Sequence, residues 1–190
     1  MIRLKNITKI YGDKAVLDGF SLEIACGEKI SLMGDSGCGK TTLLRIISGL
    51  ENADSGELEI SESIAVMFQE HRLLPWISAR ENIRAVLDKN SLPLADKYLE
   101  LVGLSDASDK LPSELSGGMA QRVSFARMLA YAEATDAELL LLDEPFSALD
   151  SELADRMLSL LLEFAKERTV IMVTHDRAEA NALGGRIIQM

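Results

Sequence analysis

The segment Gly34-Asp35-Ser36-Gly37-Cys38-Gly39-Lys40-Thr41 follows the pattern G-x-x-x-x-G-K-[ST]. Glycines at that spacing let the backbone curl until successive N–H groups point at one anion. A helix beginning at Lys40 adds the positive end of its dipole. The Lys40 ammonium would then reach the β- and γ-phosphates of a nucleotide, the Thr41 hydroxyl would ligate magnesium, and Thr42 would contact the α-phosphate.

A second group lies downstream. The unbroken apolar run Leu139–Leu142 ends in Asp143, Glu144 and Pro145. A carboxylate at the end of a buried strand can hold magnesium through water, the role expected of Asp143. Glu144 is the candidate general base for an attacking water. A third group is Leu115-Ser116-Gly117-Gly118-Met119-Ala120-Gln121-Arg122. It offers a hydroxyl, two unobstructed backbone N–H groups and a helix N-terminus behind them, which together make a second anion site.

The elements that must carry these groups alternate. Strands are expected at Arg3–Ile10, Phe20–Ile24 and Lys29–Met33, the last feeding the glycine-rich turn. A helix follows over Lys40–Ser48, stopped by Gly49. Short strands come next at Glu57–Ile60 and Ala65–Phe68. Ser78-Ala-Arg-Glu81 has the form of a capping box opening a helix to about Asp88. Leu94–Val102 is a second helix, with Gly103 as its stop. A long helix is expected from Gly118 to Ala132. After it come a strand at Leu139–Leu142, a helix over Ser151–Glu167, a strand at Val170–Val173, a helix after His175 and a final strand at Arg186–Met190. Buried strands alternating with helices predict an α/β fold with a largely parallel sheet. The region from about 75 to 115 reads as a helical insertion, leaving 1–74 and 116–190 as one core within a single domain.

Bulk properties narrow the function classes. An apolar content of 47% supports a buried core and argues against disorder. A formal net charge of −10 gives no basic face for nucleic-acid backbone. No apolar run approaches the roughly 20 residues that span a bilayer, and Met1–Lys9 lacks the apolar stretch of a signal peptide. The chain is expected in the cytosol unless a partner carries it to a membrane. Cys26 and Cys38 make no metal spacing, and His71 receives no role.

The Lys40 loop alone points to a P-loop NTPase. Leu115–Arg122 narrows it, because this stretch resembles the signature of ABC ATPases, and the resemblance covers nearly the whole chain. What the resemblance implies is a P-loop NTPase core of the ABC type, with an N-terminal antiparallel β subdomain and a helical insertion. It implies hydrolysis of ATP with magnesium by a head-to-tail pair of chains. Each ATP would lie between one chain's loop 34–42 and the other chain's Ser116, Gly117, Gly118 and Gln121. Tyr11 matches the aromatic residue that stacks on adenine. Gln69 matches the glutamine that senses magnesium and the lytic water. Ser147–Asp150 matches the loop that crosses the dimer interface, and His175 matches the histidine that contacts the γ-phosphate.

The stretch from Gln69 to Asn82 is similar to ATPase subunits of bacterial importers for nitrate, sulfonates and taurine. That similarity implies membrane-spanning permease subunits as partners, peripheral attachment to the cytoplasmic face of the membrane, and, through the complex, a solute-binding protein. Leu73, Leu74 and Trp76 would form an apolar docking surface, or Trp76 would pack within the helical insertion. Between Gly56 and Gln69 the chain is short for this family, so a trimmed connecting turn is expected there. Met190 also comes soon after the His175 helix, where family members often continue.

Other readings explain less. A small-molecule kinase accounts for Lys40 and Thr41 but leaves Leu115–Arg122 and His175 without purpose. ABC ATPases of DNA repair or translation usually carry long coiled coils, paired ATPase domains or basic surfaces, none of which is legible here. Export differs from import only through Leu73–Trp76.

Overall fold

A computed structural model describes residues 1–190. Its elements run β1 (Ile2–Tyr11), β2 (Lys14–Ile24), β3 (Lys29–Met33), α1 (Lys40–Ile47), β4 (Ser55–Ile60), β5 (Ile64–Met67), α2 (Ala79–Arg84), α3 (Pro93–Leu101), α4 (Gly117–Thr135), β6 (Leu139–Asp143), α5 (Ser151–Phe164), β7 (Thr169–Val173), α6 (Arg177–Leu183) and β8 (Arg186–Gln189). Two sheets form. One is antiparallel, in the order β2-β1-β4. The other has five strands in the order β5-β6-β7-β3-β8, and the pairings within it are parallel.

The leucines of β6 face two cores. Leu140 and Leu142 join a cluster with Val123, Phe125, Leu129 and Leu161 from α4 and α5. Leu139 and Leu141 join a second cluster with Ile2, Leu4 and Ile24 of the antiparallel sheet and Leu43 and Leu44 of α1. A strand covered on both faces needs no polar alternation, and β6 and β7 have none.

Several boundaries move by up to three residues, α5 ending at Phe164 and not Glu167 among them, and two differ by more. β2 begins at Lys14, not Phe20, because its pairing with β1 is irregular. Register shifts fall between Leu4 and Ile7 and again up to Ile10, and Asn6 (φ 52°) and Gly19 (φ 62°) adopt left-handed backbone there. Each shift breaks the two-residue alternation by which a strand is read. α2 ends at Arg84, not Asp88. The amides of Val86 and Leu87 bond three residues back, to Ile83 and Arg84, and so tighten the chain out of the helix. The Ser78 hydroxyl does cap α2, accepting from the Glu81 amide at 3.2 Å, while the Glu81 carboxylate pairs with Arg84.

The link from β4 to β5 is three residues, 61–63. The helices α2 and α3 and two short turns of 3-10 helix occupy the stretch between β5 and α4. No helix is long and apolar enough to cross a membrane.

Candidate functional site

Parallel strands deliver their C-terminal ends to one edge of the sheet, where α/β proteins collect ligands. Here the loops after β3, β5, β6 and β7 meet around a cavity of about 540 Å³. Gly34, Ser36, Gly37, Gly39, Lys40, Thr41 and Thr42 line one side, and Gln69, Glu144 and His175 face them. Lys14 and Val16 of β2 also reach it. Nothing in their sequence pattern marks those two.

The glycine-rich loop takes backbone that side chains resist. Gly37 and Gly39 have φ 79° and 103°. A Cβ at Gly39 would stand 2.8 Å from the Val16 carbonyl oxygen, so the loop presses against β2 there. The Lys40 ammonium donates to the carbonyls of Gly34 (2.8 Å) and Asp35 (2.9 Å) and lies 3.5 Å from the Cys38 Sγ. The loop thus places a cation on its own concave side.

The acidic turn faces the loop. Glu144 holds a left-handed backbone, φ 47°, uncommon for a non-glycine residue and most often found where function constrains the chain. Its amide donates to the Val173 carbonyl at 2.9 Å. Its carboxylate accepts from Gln69 Nε2 at 3.1 Å and stands 3.7 Å from His175 Nδ1. Residues separated by 75 and 31 positions therefore converge on one carboxylate. The turn carrying His175 is fixed by Thr174, whose hydroxyl donates to Glu179 at 2.5 Å and accepts from the Asp176 amide at 3.0 Å.

Asp143 is buried, 1% exposed, and its Oδ2 has no hydrogen-bond partner. Burial pushes its carboxyl above the usual carboxylate range. The neighbouring Glu144 charge adds to this, while the Thr41 hydroxyl, Arg45 and Lys40 oppose it. A buried carboxylate oxygen without a donor, beside a threonine hydroxyl, is a donor set suited to a hard divalent cation.

The third group stays apart. Ser116 and Gly117 are exposed, and none of Ser116, Gly117 or Gly118 lines the cavity. The Ser116 hydroxyl caps α4, accepting from the Met119 amide at 3.2 Å. A Cβ at Gly118 would meet the Ala148 carbonyl at 3.1 Å, so the helix start packs on loop 147–150. The expectation that Gln121 faces nucleotide is overturned. Its side chain is 1% exposed and spent within the chain: Nε2 donates to the Glu144 carbonyl (2.8 Å) and its Oε1 accepts from the Ala148 amide (2.9 Å). One turn of helix separates it from the Ser116–Gly118 surface, so it braces the acidic turn instead. Tyr11, at the end of β1, is half exposed, donates its hydroxyl to Glu51 and is not among the cavity-lining residues.

The stretch after Gln69 is divided. Leu73 packs against the helical core, whereas Leu74 is exposed and Trp76 is 71% exposed. Trp76 does not pack within the insertion, and Leu73 does not join it on the surface. The loop is pinned from inside by two residues with no warning in the pattern. Buried Asn82 accepts from the Leu74 amide (2.7 Å) and donates to the carbonyls of Leu74, Ile77 and Ser78. Arg127 of α4 donates to the carbonyls of His71 (2.7 Å) and Arg72 (3.0 Å).

Known proteins match this arrangement. A family profile described as "ABC transporter" covers residues 17–147. The chain is 44% identical to the aliphatic sulfonates import ATP-binding protein SsuB 2 of Pseudomonas savastanoi pv. phaseolicola, over 98% of this chain and 69% of that protein. It is also 44% identical to SsuB 3 of Paraburkholderia xenovorans, over 100% of this chain and 76% of that one. Among solved structures, a dimeric ATP-binding cassette in a post-hydrolysis state bound to ADP and Pi superposes with a TM-score of 0.90 at 32% identity, covering 100% of this chain and 94% of that one.

Proposed function

The chain belongs to the ABC transporter family, and from that premise we propose how its residues hydrolyse ATP and what the hydrolysis drives. One observation carries the reading. Gln69, Glu144 and His175 gather opposite the Lys40 loop, while Ser116–Gly118 stay outside that cavity, with Ser116 and Gly117 exposed. An anion site that its own chain does not use suits a second chain. Two copies set head to tail would complete two ATP sites, and the dimeric state of the solved cassette supports this.

In that pair, loop 34–42 cradles the phosphates, with Lys40 on the β- and γ-phosphates and Tyr11 against the adenine. Thr41 and Asp143 would hold magnesium with Gln69 beside it, and magnesium would supply charge neutralisation at the phosphate oxygens. Glu144 accepts the proton of the attacking water, and its left-handed backbone aims the carboxylate across the cavity. His175 contacts the γ-phosphate and helps orient the water. Lys40 and the partner's helix start offset the charge that develops during transfer. Loss of the γ-phosphate removes the contact shared by the two chains, so the pair opens.

The work so released is import of a small solute through membrane-spanning permease subunits, with this chain peripheral on the cytoplasmic face. The relatives' names favour an aliphatic sulfonate, and we propose that a solute-binding protein delivers it through the complex. The exposed Leu74 and Trp76 are the surface offered to the permease. The core, 1–74 and 116–190, and the helical portion, about 75–115, act as one cassette.

The test is co-purification. A tagged Glu144→Gln chain, expressed in its own host and solubilised with ATP and magnesium, is expected to retain ATP, accumulate as a dimer and bring down a multi-span membrane protein. Recovery of only soluble partners or nucleic acid would leave the ATPase intact and remove transport.

A further inference from the structure

Arg127 is an expensive residue where it stands. Burial alone acts on its guanidinium and holds it below its usual range, with no carboxylate to compensate. A methionine or leucine would fill helix space there without desolvating a charge. What Arg127 provides instead is a two-pronged clamp. Its Nη1 and Nη2 donate to two successive carbonyls, Arg72 and His71, a geometry that a planar guanidinium fits and a lysine ammonium does not.

The clamped peptides form a strained bend. Arg72 has φ 47°, its guanidinium stacks 4.5 Å above the Phe68 ring, and it pairs with Glu70 at 3.6 Å. On one side of the bend is Gln69, bonded to Glu144. On the other is the Leu74–Ser78 loop, locked by Asn82 and carrying Trp76. The helix that supplies the clamp also supplies Gln121, which holds the Glu144 carbonyl from behind. One helix therefore grips the Glu144 backbone directly and grips the chain after Gln69 through the His71 and Arg72 carbonyls. Demonstrating coupling requires more than adjacency, and this pair allows a direct measurement.

We propose that Arg127 is a positioning residue. By clamping the His71–Arg72 bend to α4, it sets Gln69 against Glu144 for hydrolysis and joins the Trp76 loop to the same support. This rests on the roles given to Gln69 and Glu144 above.

The experiment is a double-mutant cycle on the full chain with ATP and magnesium, using Gln69→Ala and Arg127→Lys. Arg127→Lys keeps the charge and the stem, so the chain is expected to fold and to hold ATP with unchanged KM. Its kcat is expected to fall by about 10-fold, up to the roughly 100-fold that a small misplacement of a catalytic group can cost. In the Gln69→Ala background the same substitution is expected to change kcat by less than about 2-fold, since interacting sites are not additive. Trp76 is the single tryptophan of the chain, so its fluorescence quenching reports the loop. ATP is expected to alter quenching in the parent chain and not in Arg127→Lys.

Additive losses, with Gln69→Ala itself impaired, would overturn the Arg127 assignment alone. Unchanged kcat in Gln69→Ala would remove the role of Gln69 and this inference with it. A raised KM at constant kcat in Arg127→Lys would make Arg127 merely structural and overturn it. If the lysine variant does not fold, Arg127→Met is read through the same cycle.

Discussion

The edge of the sheet that carries the Lys40 loop and the loop that carries Trp76 are built by opposite means. At the sheet edge, polar groups are left to meet something outside the chain. Asp143 Oδ2 is buried without a donor, Glu144 sits in strained backbone, and Lys40, Thr41, Gln69, Glu144 and His175 all face the cavity. In the Trp76 loop, backbone groups from His71 to Ser78 are met from within by Asn82 and Arg127, and the apolar Leu74 and Trp76 are left outside. A site for a charged ligand keeps its polar potential unspent, at a cost in stability. A surface for a protein partner spends its polar potential internally and presents side chains that gain by leaving water.

Substitutions should therefore separate activity from stability along this divide. The largest effect is expected from Lys40→Ala. Its kcat should fall by about 10²- to 10³-fold or more, the scale for losing one preorganised charge-stabilising group, with ATP binding greatly weakened. Normal turnover in a steady-state ATPase assay would dissolve the first half of the contrast. Asn82→Ala is expected to act on stability instead. It strands buried backbone groups, each costing about 1–3 kcal/mol, so thermal melts should shift down by on the order of 5 °C in a chain of this size. ATP affinity by titration should stay as in the parent, and a shared loss of affinity would show the two regions are not separable.

In the stability of the nucleotide-free chain, Asp143→Asn should give the smallest change, of opposite sign. Burial raises the Asp143 carboxyl, so its ionised form opposes folding. Stability is then lost as pH rises through the folded-state value and regained as pH falls. Without nucleotide, the asparagine chain should melt above the parent at alkaline pH, with the gap closing as pH falls toward the usual carboxylate range. Added ATP and magnesium should stabilise it less than the parent. A gap that does not vary with pH would mean that the carboxyl costs the fold nothing.

The sequence disclosed the groups that a ligand must meet and concealed those that hold them. Lys40, Asp143 and Glu144 stand in short contiguous patterns, because one turn of backbone has to present several atoms to one phosphate. Arg127 bonds to a carbonyl 56 positions away and Asn82 to one eight positions away, and no local spacing encodes a partner that is only a backbone atom. Gln121 was misread for a related reason. It shares a contiguous run with Ser116–Gly118, but the helix turns it inward, toward Glu144. Proximity in a motif does not fix direction on a helix. The parallel sheet was legible from the buried runs of β6 and β7. The first half of β2 was not, because its irregular pairing erased the alternation.

The four leucines of β6 carry a consequence of their own. Slipping a strand by one residue normally drives apolar side chains into water and polar ones inward, and that penalty keeps strands in place. In β6 a slip would exchange leucine for leucine on both faces. Yet it would carry Asp143 and Glu144 about 3.3 Å along the sheet, far outside the tolerance of proton transfer. Side-chain chemistry in the middle of the strand is thus nearly degenerate, and the choice of alignment falls to its ends. There the Ser63 carbonyl accepts from the amides of Glu138 and Leu139, and the Thr169 amide donates to Glu138. The accuracy of the chemistry at one end of the strand is kept by a few ordinary hydrogen bonds at the other, with the bond from the Glu144 amide to the Val173 carbonyl closing the near end.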